Sequence, residues 1–401
     1  MRPKMKSNFE PSPRQPASCS RAPWAGLLAI LISLSLTGCG ERFKNPAIKE
    51  AKHEANHPAK DTGQRLVLLV RQDYMDEAIL EDFRKEFGVT VVEQNYQDNE
   101  QLLRRLKRQN KCDVLITSGS MIQEMEERGF LLEIDHVLTN RPNLAQPIGG
   151  RLPYDLRFCI PYTWRSLGIG YVSEHETEIP ESWRVIFEPG PEAADRLKDK
   201  IIMFNEPRYV IGTALLYLGF SPNSTNLTEI QKAGELLLKQ RPLVGEYSEH
   251  DSREELVKAQ STMAQALSSD IAIGARQNHT LRFAIPKEGT VVFVDNLAIP
   301  TICENKELAA LFVGFLIRPD IAARVSNRSY CASLLHDAEP LISPLVRNGP
   351  SYQLPDDDSK IFFIKSVGSE VQDEYNKVWR QVLGGKPVTI PVAGAGASDV
   401  K

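Results

Sequence analysis

The stretch PKEGTVVFVDNLAIP, residues 286–300, opens on a Pro-Lys-Glu-Gly turn and continues as an almost unbroken apolar run with one carboxylate, Asp295. A short Val/Phe/Leu/Ile run between Gly289 and Pro300 reads as a buried strand. An acid inside such a strand is costly unless a positive group meets it. Alternation along a strand puts Phe293 on the same side as Asp295. Residue chemistry leaves two readings of Asp295: a structural acid paired with an arginine or capping a turn, or a carboxylate awaiting a cationic ligand.

Working outward, residues 65–135 alternate between apolar strand runs and amphipathic helix patterns. RLVLLV (65–70), VTVVEQNY (89–96) and CDVLITS (112–118) read as strands. MDEAILEDFRKEFG (75–88), NEQLLRRLKRQ (99–109) and GSMIQEMEERG (119–129) read as helices. This alternation predicts an α/β domain with a mainly parallel sheet. RFCIPYTWRSLGIGYV (157–172) reads as two strand runs broken at PYTW and as a crossing into a second domain. Beyond it, DKIIMF is a strand, while YVIGTALLYLGF and LTEIQKAGELLLKQ are helices. Residues 252–269 are predicted as one amphipathic helix and DIAIGA (270–275) as a strand. KELAALFVGFLIRPDIAARVS (306–326) is a long helix broken or restarted at Pro319. Residues 359–385 form the closing element.

The N-terminus reads as an address. Arg14 and Arg21 precede the apolar run AGLLAILISLSL, which suits a secretory segment and is short for a membrane span. It leads into Leu36-Thr37-Gly38-Cys39, which resembles the lipobox of bacterial lipoproteins. That resemblance implies acylation of Cys39, a signal peptide over 1–38 and an extracytoplasmic protein held by lipid to the periplasmic face of a bacterial membrane. Residues 39–63 are polar and read as a tether, and 386–401 as a loose tail. The leader holds five Lys/Arg and one Glu, so the formal net charge of −4 for the whole chain becomes −8 for residues 39–401. An acidic exported protein is a poor candidate for nucleic-acid binding. Cys112, Cys159, Cys303 and Cys331 can form up to two disulfides, whose pairing the spacing leaves open.

The order of elements from about 64 to 384 resembles the bacterial periplasmic spermidine/putrescine-binding protein family of ABC importers. The most specific stretches are the KEG…DNLAIP combination and FLIRPDIA (315–322), with CDVLITSGSMIQEMEERGFLLEID alongside. The resemblance implies a two-lobed α/β fold with discontinuous lobes, 64–162 plus 296–339 and 163–295 plus 340–385, closing on a small solute. It further implies a monomer that delivers the solute to an inner-membrane permease, without cofactor, metal or catalysis. Ligand groups belong at the carboxyl ends of strands facing the cleft.

In that family carboxylates meet each ammonium and aromatic faces flank the methylene chain. Asp295 falls on the principal carboxylate position, and Phe293 on a tryptophan position. Asp73 and Tyr74 keep an acid–tyrosine pair, although Asp73 also suits a helix N-cap, and Arg71 stands where a tryptophan is usual. Ser118 keeps a hydroxyl, Ser120 replaces an aromatic, and Glu206 matches an acid whose companion is replaced by Tyr209. Ala275 replaces a tryptophan beside Arg276, Tyr330 lies at or next to a tyrosine, and Ile364 replaces an amide. Two cations near an ammonium would repel it. Either Arg71 and Arg276 pair with Asp73 or Glu206, or the solute is a zwitterion or an anion. The same fold is also compatible with a ligand sensor for a membrane partner. HEANH (53–57) matches the zinc-protease pattern H-E-x-x-H, but it sits in the polar tether with Pro58 next in line, which argues against a catalytic helix.

Overall fold

The computed structural model describes residues 62–71, 74–97, 99–134, 141–176, 178–248 and 253–384. The leader with Cys39, the HEANH motif, Asp73 and the tail fall outside these residues. Among the described residues no helix is long and apolar enough to cross a membrane.

Strand β1 (Arg65–Arg71) has its five central residues buried. Its alternating side chains feed two cores, Leu66, Leu68 and Val70 on one face and Leu69 on the other. Helix α1 (Glu77–Phe87) begins where the Asp76 side chain accepts a bond from the Ala78 N–H, and ends at Gly88 in the left-handed region. Strands β2 (Thr90–Tyr96) and β3 (Val114–Ser118) flank β1 in parallel. Helix α2 (Asn99–Lys107) lies between them in the chain, and α3 (Gly119–Glu127) follows β3 directly.

Strand β4 (Ile160–Val172) is one continuous strand, not two runs broken at PYTW. The irregularity that the sequence suggested there is a bulge between Pro161 and Thr163, a place where a residue lacking an N–H is tolerated. Then come β5 (Ile201–Phe204), α4 (Pro207–Tyr217), α5 (Leu227–Gln240), β6 (Val244–Ser248) and β7 (Met263–Leu267). The helix expected over 252–269 is therefore corrected. Within that span only Arg253–Val257 is helical ahead of β7, and the chain leaves the helix through Ala259, whose φ is 52°, before entering the strand. β7 packs between β4 and β5 with Met263 to Ala266 all buried, so it lacks the alternation that marks a one-sided strand. DIAIGA is likewise not a strand but most of helix α6 (Ser268–Gly274), its buried Ile271 and Gly274 lying three apart. The chain continues through β8 (Leu281–Ala284), β9 (Thr290–Ala298), α7 (Lys306–Leu316) and α8 (Pro319–Ser329), with Pro319 in the first turn of α8. β10 (Ala332–Ser333), β11 (Ile361–Phe363) and α9 (Ser369–Val382) complete it.

The strands follow the path β2-β1-β3-β9-β4-β7-β5-β6, with β8 and β10 on β4 and β11 on β9. Two strands carry the chain from one half to the other. The start of β9, Thr290–Val292, pairs parallel with β11, while Asp295–Ala298 pairs antiparallel with β3. β4 pairs with β9 through Ser166 and with β7 from Leu167 onward. The hydrophobic core divides accordingly. Leu66, Phe83, Ile116, Leu297 and Phe312 pack in one half, where Ile342 and Val346 join them. Leu167, Ile201, Ile211, Leu237 and Trp379 pack in the other. This is a two-lobed α/β fold in which each lobe draws on separate chain segments. Cys112, Cys159, Cys303 and Cys331 are all buried free thiols.

Candidate functional site

Where β9 leaves one half for the other, three strands present side chains in register. Ser118 of β3 pairs with Asp295, and Asp295 pairs with Thr163 of β4. Two residues along, Phe293 pairs with Arg165. Because paired positions share a face and the side-chain period is two, Ser118, Asp295, Thr163, Phe293 and Arg165 line one side of the sheet.

Asp295 is only 8% exposed. Its Oδ2 lies 3.3 Å from an Nη of Arg165, whose side chain retains 21% exposure. The acid in the buried strand thus has an arginine partner, and that partner lies within the PYTWR stretch of β4. Burial works against the Arg165 charge, but Asp295 and then Cys331 oppose it and hold the guanidinium above the ordinary arginine range. Arg165 donates a second contact, 3.7 Å, to the Cys331 sulfur, whereas its buried Nε has no acceptor. Tyr74 closes the floor, its hydroxyl 2.6 Å from the Thr163 hydroxyl. Burial, and next the Asp295 charge, push the Tyr74 phenol well above its usual pKa.

On the first-lobe side Arg71 stands at the end of β1, accessible to solvent, with its guanidinium carbon 5.8 Å from the centre of the Tyr96 ring. Desolvation lowers its affinity for the proton, while Tyr96, Tyr209 and Asp295 raise it and leave Arg71 held firmly charged. Among the described residues no carboxylate lies within ion-pair distance of it. From the other side comes the start of α4. Glu206 is its N-cap, the side chain accepting from the Arg208 N–H at 3.3 Å. Burial raises the Glu206 carboxyl pKa against the opposing pull of Arg208 and Arg71. Tyr209, one turn on, packs its ring 4.5 Å from that of Phe293 and 5.9 Å from that of Phe204.

The remaining sequence candidates divide. Tyr330 ends α8 with φ 55° and is buried, and Arg276, exposed after α6, lies 5.7 Å over its ring. Ser118 occupies the N-cap position of α3 without making a capping bond; its hydroxyl is 3.3 Å from that of Ser120. The capping role considered for Asp73 belongs to Asp76. Ala275 is the C-cap residue of α6, and Ile364 packs against the second core. Sequence reasoning passed over Arg165, Thr163 and Tyr96. The signal for Arg165 was available, since it is the one charge within the long apolar crossing strand. Asn296, beside Asp295, faces the other way: its amide bonds the Thr117 and Val294 carbonyls and accepts from the Tyr154 hydroxyl at 2.9 Å, so it knits β3 to β9.

Charges and rings brought together where two lobes exchange strands are suited to holding a small molecule. Residues 109–346 match a family described as bacterial extracellular solute-binding protein. The chain belongs to that family. The putrescine-binding periplasmic protein SpuD of Pseudomonas aeruginosa is 30% identical over 333 residues, 78% of this chain and 90% of its own length. The putrescine-binding periplasmic protein PotF of Escherichia coli is 29% identical over 335 residues, with the same coverage of each chain. Among solved structures, a putative spermidine/putrescine ABC transporter protein from Listeria monocytogenes superposes with a TM-score of 0.72 at 24% identity, covering 80% of this chain and 100% of the other. The spermidine/putrescine ABC transporter substrate-binding protein PotD of Streptococcus pneumoniae gives a TM-score of 0.71 at 22% identity, covering 80% and 99%. These relatives are binding proteins rather than enzymes, and this chain is by family a bacterial extracellular solute-binding protein.

Proposed function

We propose that this chain is the extracytoplasmic receptor of an ABC importer, taking an amine-bearing small solute of the polyamine type between its lobes and delivering it to a membrane permease. The observation that carries the reading is the register of Ser118, Asp295 and Thr163 across β3, β9 and β4, with Phe293 beside them in tilted ring contact with Tyr209. Arg165 engages Oδ2 of Asp295. The second carboxylate oxygen can still accept from an ammonium, and the contacting ring pair can lie along an alkyl chain. Glu206 supplies a second acid from the opposite lobe. The names of SpuD and PotF support an amine as the first solute class to test.

The lobes of this reading are 64–162 with a return segment from 296, and 163–295 with a segment ending at 385. The return segment extends past 339, because Ile342 and Val346 pack with the first core. Cys39 is the acylation site, residues 39–63 are the tether, and the mature protein is a monomer held on the periplasmic face. Thermal-shift titration with putrescine, spermidine, amino acids, sugars and inorganic anions tests the binding reading, since a ligand specific to the native state raises Tm. Failure of every amine to shift Tm would sink it. Partition of the wild type, but not Cys39→Ser, into a detergent phase tests the anchor.

A further inference from the structure

The charges of this cleft are not those that a diamine would select. Arg71 enters from the end of β1, its guanidinium set on the Tyr96 ring and meeting no carboxylate among the described residues. Arg165 stands within electrostatic reach of it and already occupies one oxygen of Asp295. An ammonium lying near Asp295 therefore meets one engaged carboxylate and two guanidinium groups. Across the cleft, Glu206 is enclosed and within reach of Arg71, and its one hydrogen bond to the α4 backbone is a long 3.3 Å. One wall thus offers an open planar donor fork and the other an under-compensated carboxylate. Tyr209, one turn after Glu206, makes a tilted ring contact with Phe293, centroids 4.5 Å apart.

We propose that the amine-bearing solute also carries a carboxylate, so that its anionic end meets Arg71 and its ammonium meets Glu206. The arginine fork matches a carboxylate in plane and can bond both its oxygens, an arrangement that no ammonium can use. The contacting ring pair then offers one apolar surface to a short alkyl spacer between opposite charges. This assignment of ligand class rests on the reading that the cleft binds a small amine-bearing solute. It adds that Arg71 selects against molecules cationic at both ends.

Matched ligands decide it. The mature full chain is titrated calorimetrically with 4-aminobutanoate and 5-aminopentanoate, with the corresponding diamines putrescine and cadaverine, and with glutarate. The expected result is that an amino acid binds at least tenfold more tightly than its diamine. Arg71→Gln should weaken the amino acid at least tenfold while leaving the diamine unchanged or tighter, and circular dichroism and Tm verify that the variant is folded. Tighter binding of the diamines by the wild type overturns this inference and leaves the solute-binding reading in place. Equal loss of both classes in Arg71→Gln assigns Arg71 to lobe packing and also overturns it. Glutarate binding as tightly as 5-aminopentanoate removes the amine from the recognition, and silence from the whole panel refutes both readings together.

Discussion

Replacing Asp295 by Asn tests whether the Arg165–Asp295 pair is part of the folded core of the crossing strands. At 3.3 Å, two unit charges in a partly buried site with an effective dielectric of 20 attract by about 5 kcal/mol. Much of that offsets the desolvation of both groups, so the net value of the pair is small. Removing one partner alone is different, because it strands the other charge, a loss of about 3–5 kcal/mol for buried pairs. Arg165 keeps 21% of its side chain exposed and a contact to Cys331, which places Asp295→Asn toward the lower end, about 3 kcal/mol. Arg165→Gln alone should cost a similar amount. The double variant, with no stranded charge, should recover most of the loss and end within about 1 kcal/mol of wild type, giving a coupling of about 5 kcal/mol in a double-mutant cycle, the size of the direct attraction. Urea denaturation of the four proteins measures it. A coupling below about 0.5 kcal/mol would refute the pairing and leave Asp295 a carboxylate held open for solute.

Three further outcomes follow from the same geometry. Tyr74→Phe deprives the buried Thr163 hydroxyl of its 2.6 Å partner and should destabilise the protein by about 1–2 kcal/mol in urea, with the fold retained by circular dichroism. Burial raises the Glu206 carboxyl pKa, so the folded state binds that proton more tightly than the unfolded chain, and this group's contribution to stability falls as pH rises from the ordinary carboxylate value through the raised one. Glu206→Gln should therefore raise Tm relative to wild type more at pH 7 than at pH 4; the reverse order would contradict the assignment. Burial pushes the Cys303 thiol up to about 11 and the other three thiols up as well. In a Cys39→Ser form, none should react with Ellman's reagent until denaturant is added, and reducing agent should leave Tm unchanged.

Much of this architecture was legible in the chain because its main strands and helices are long, periodic and well punctuated. Residues 65–129 announce three strands and three helices through apolar runs closed by Gly88 and Gly129. Asp295 and Phe293 were legible as neighbours on one face because strand alternation needs no tertiary knowledge. What stayed hidden depended on context. β7 is buried on both sides, so MAQAL lost the pattern that would have marked it, and α6 is too short for its helical spacing to differ from a strand's. The partner of Asp295 was hidden for a different reason. Arg165 lies 130 residues away, and only the register of β4 against β9 brings the two together. The same register makes the site more balanced in charge than its family resemblance implies, because one acid faces an arginine of its own chain.

The crossing of β4 and β9 has a consequence for how such a receptor can change. Asp295, Phe293, Thr163 and Arg165 are located midway along the two strands that join the lobes, so under the proposed function the same peptide units recognise solute and carry any bending between halves. Selectivity and mobility are then not separable traits. A substitution here that admits a new solute also alters the stiffness of the joint, and with it the rates at which the receptor captures and surrenders its cargo. Variation off those two strands, such as at Arg71, the last residue of β1, or Tyr209 in the first turn of α4, escapes that linkage. Those two positions carry the selectivity proposed for this cleft, away from the joint itself.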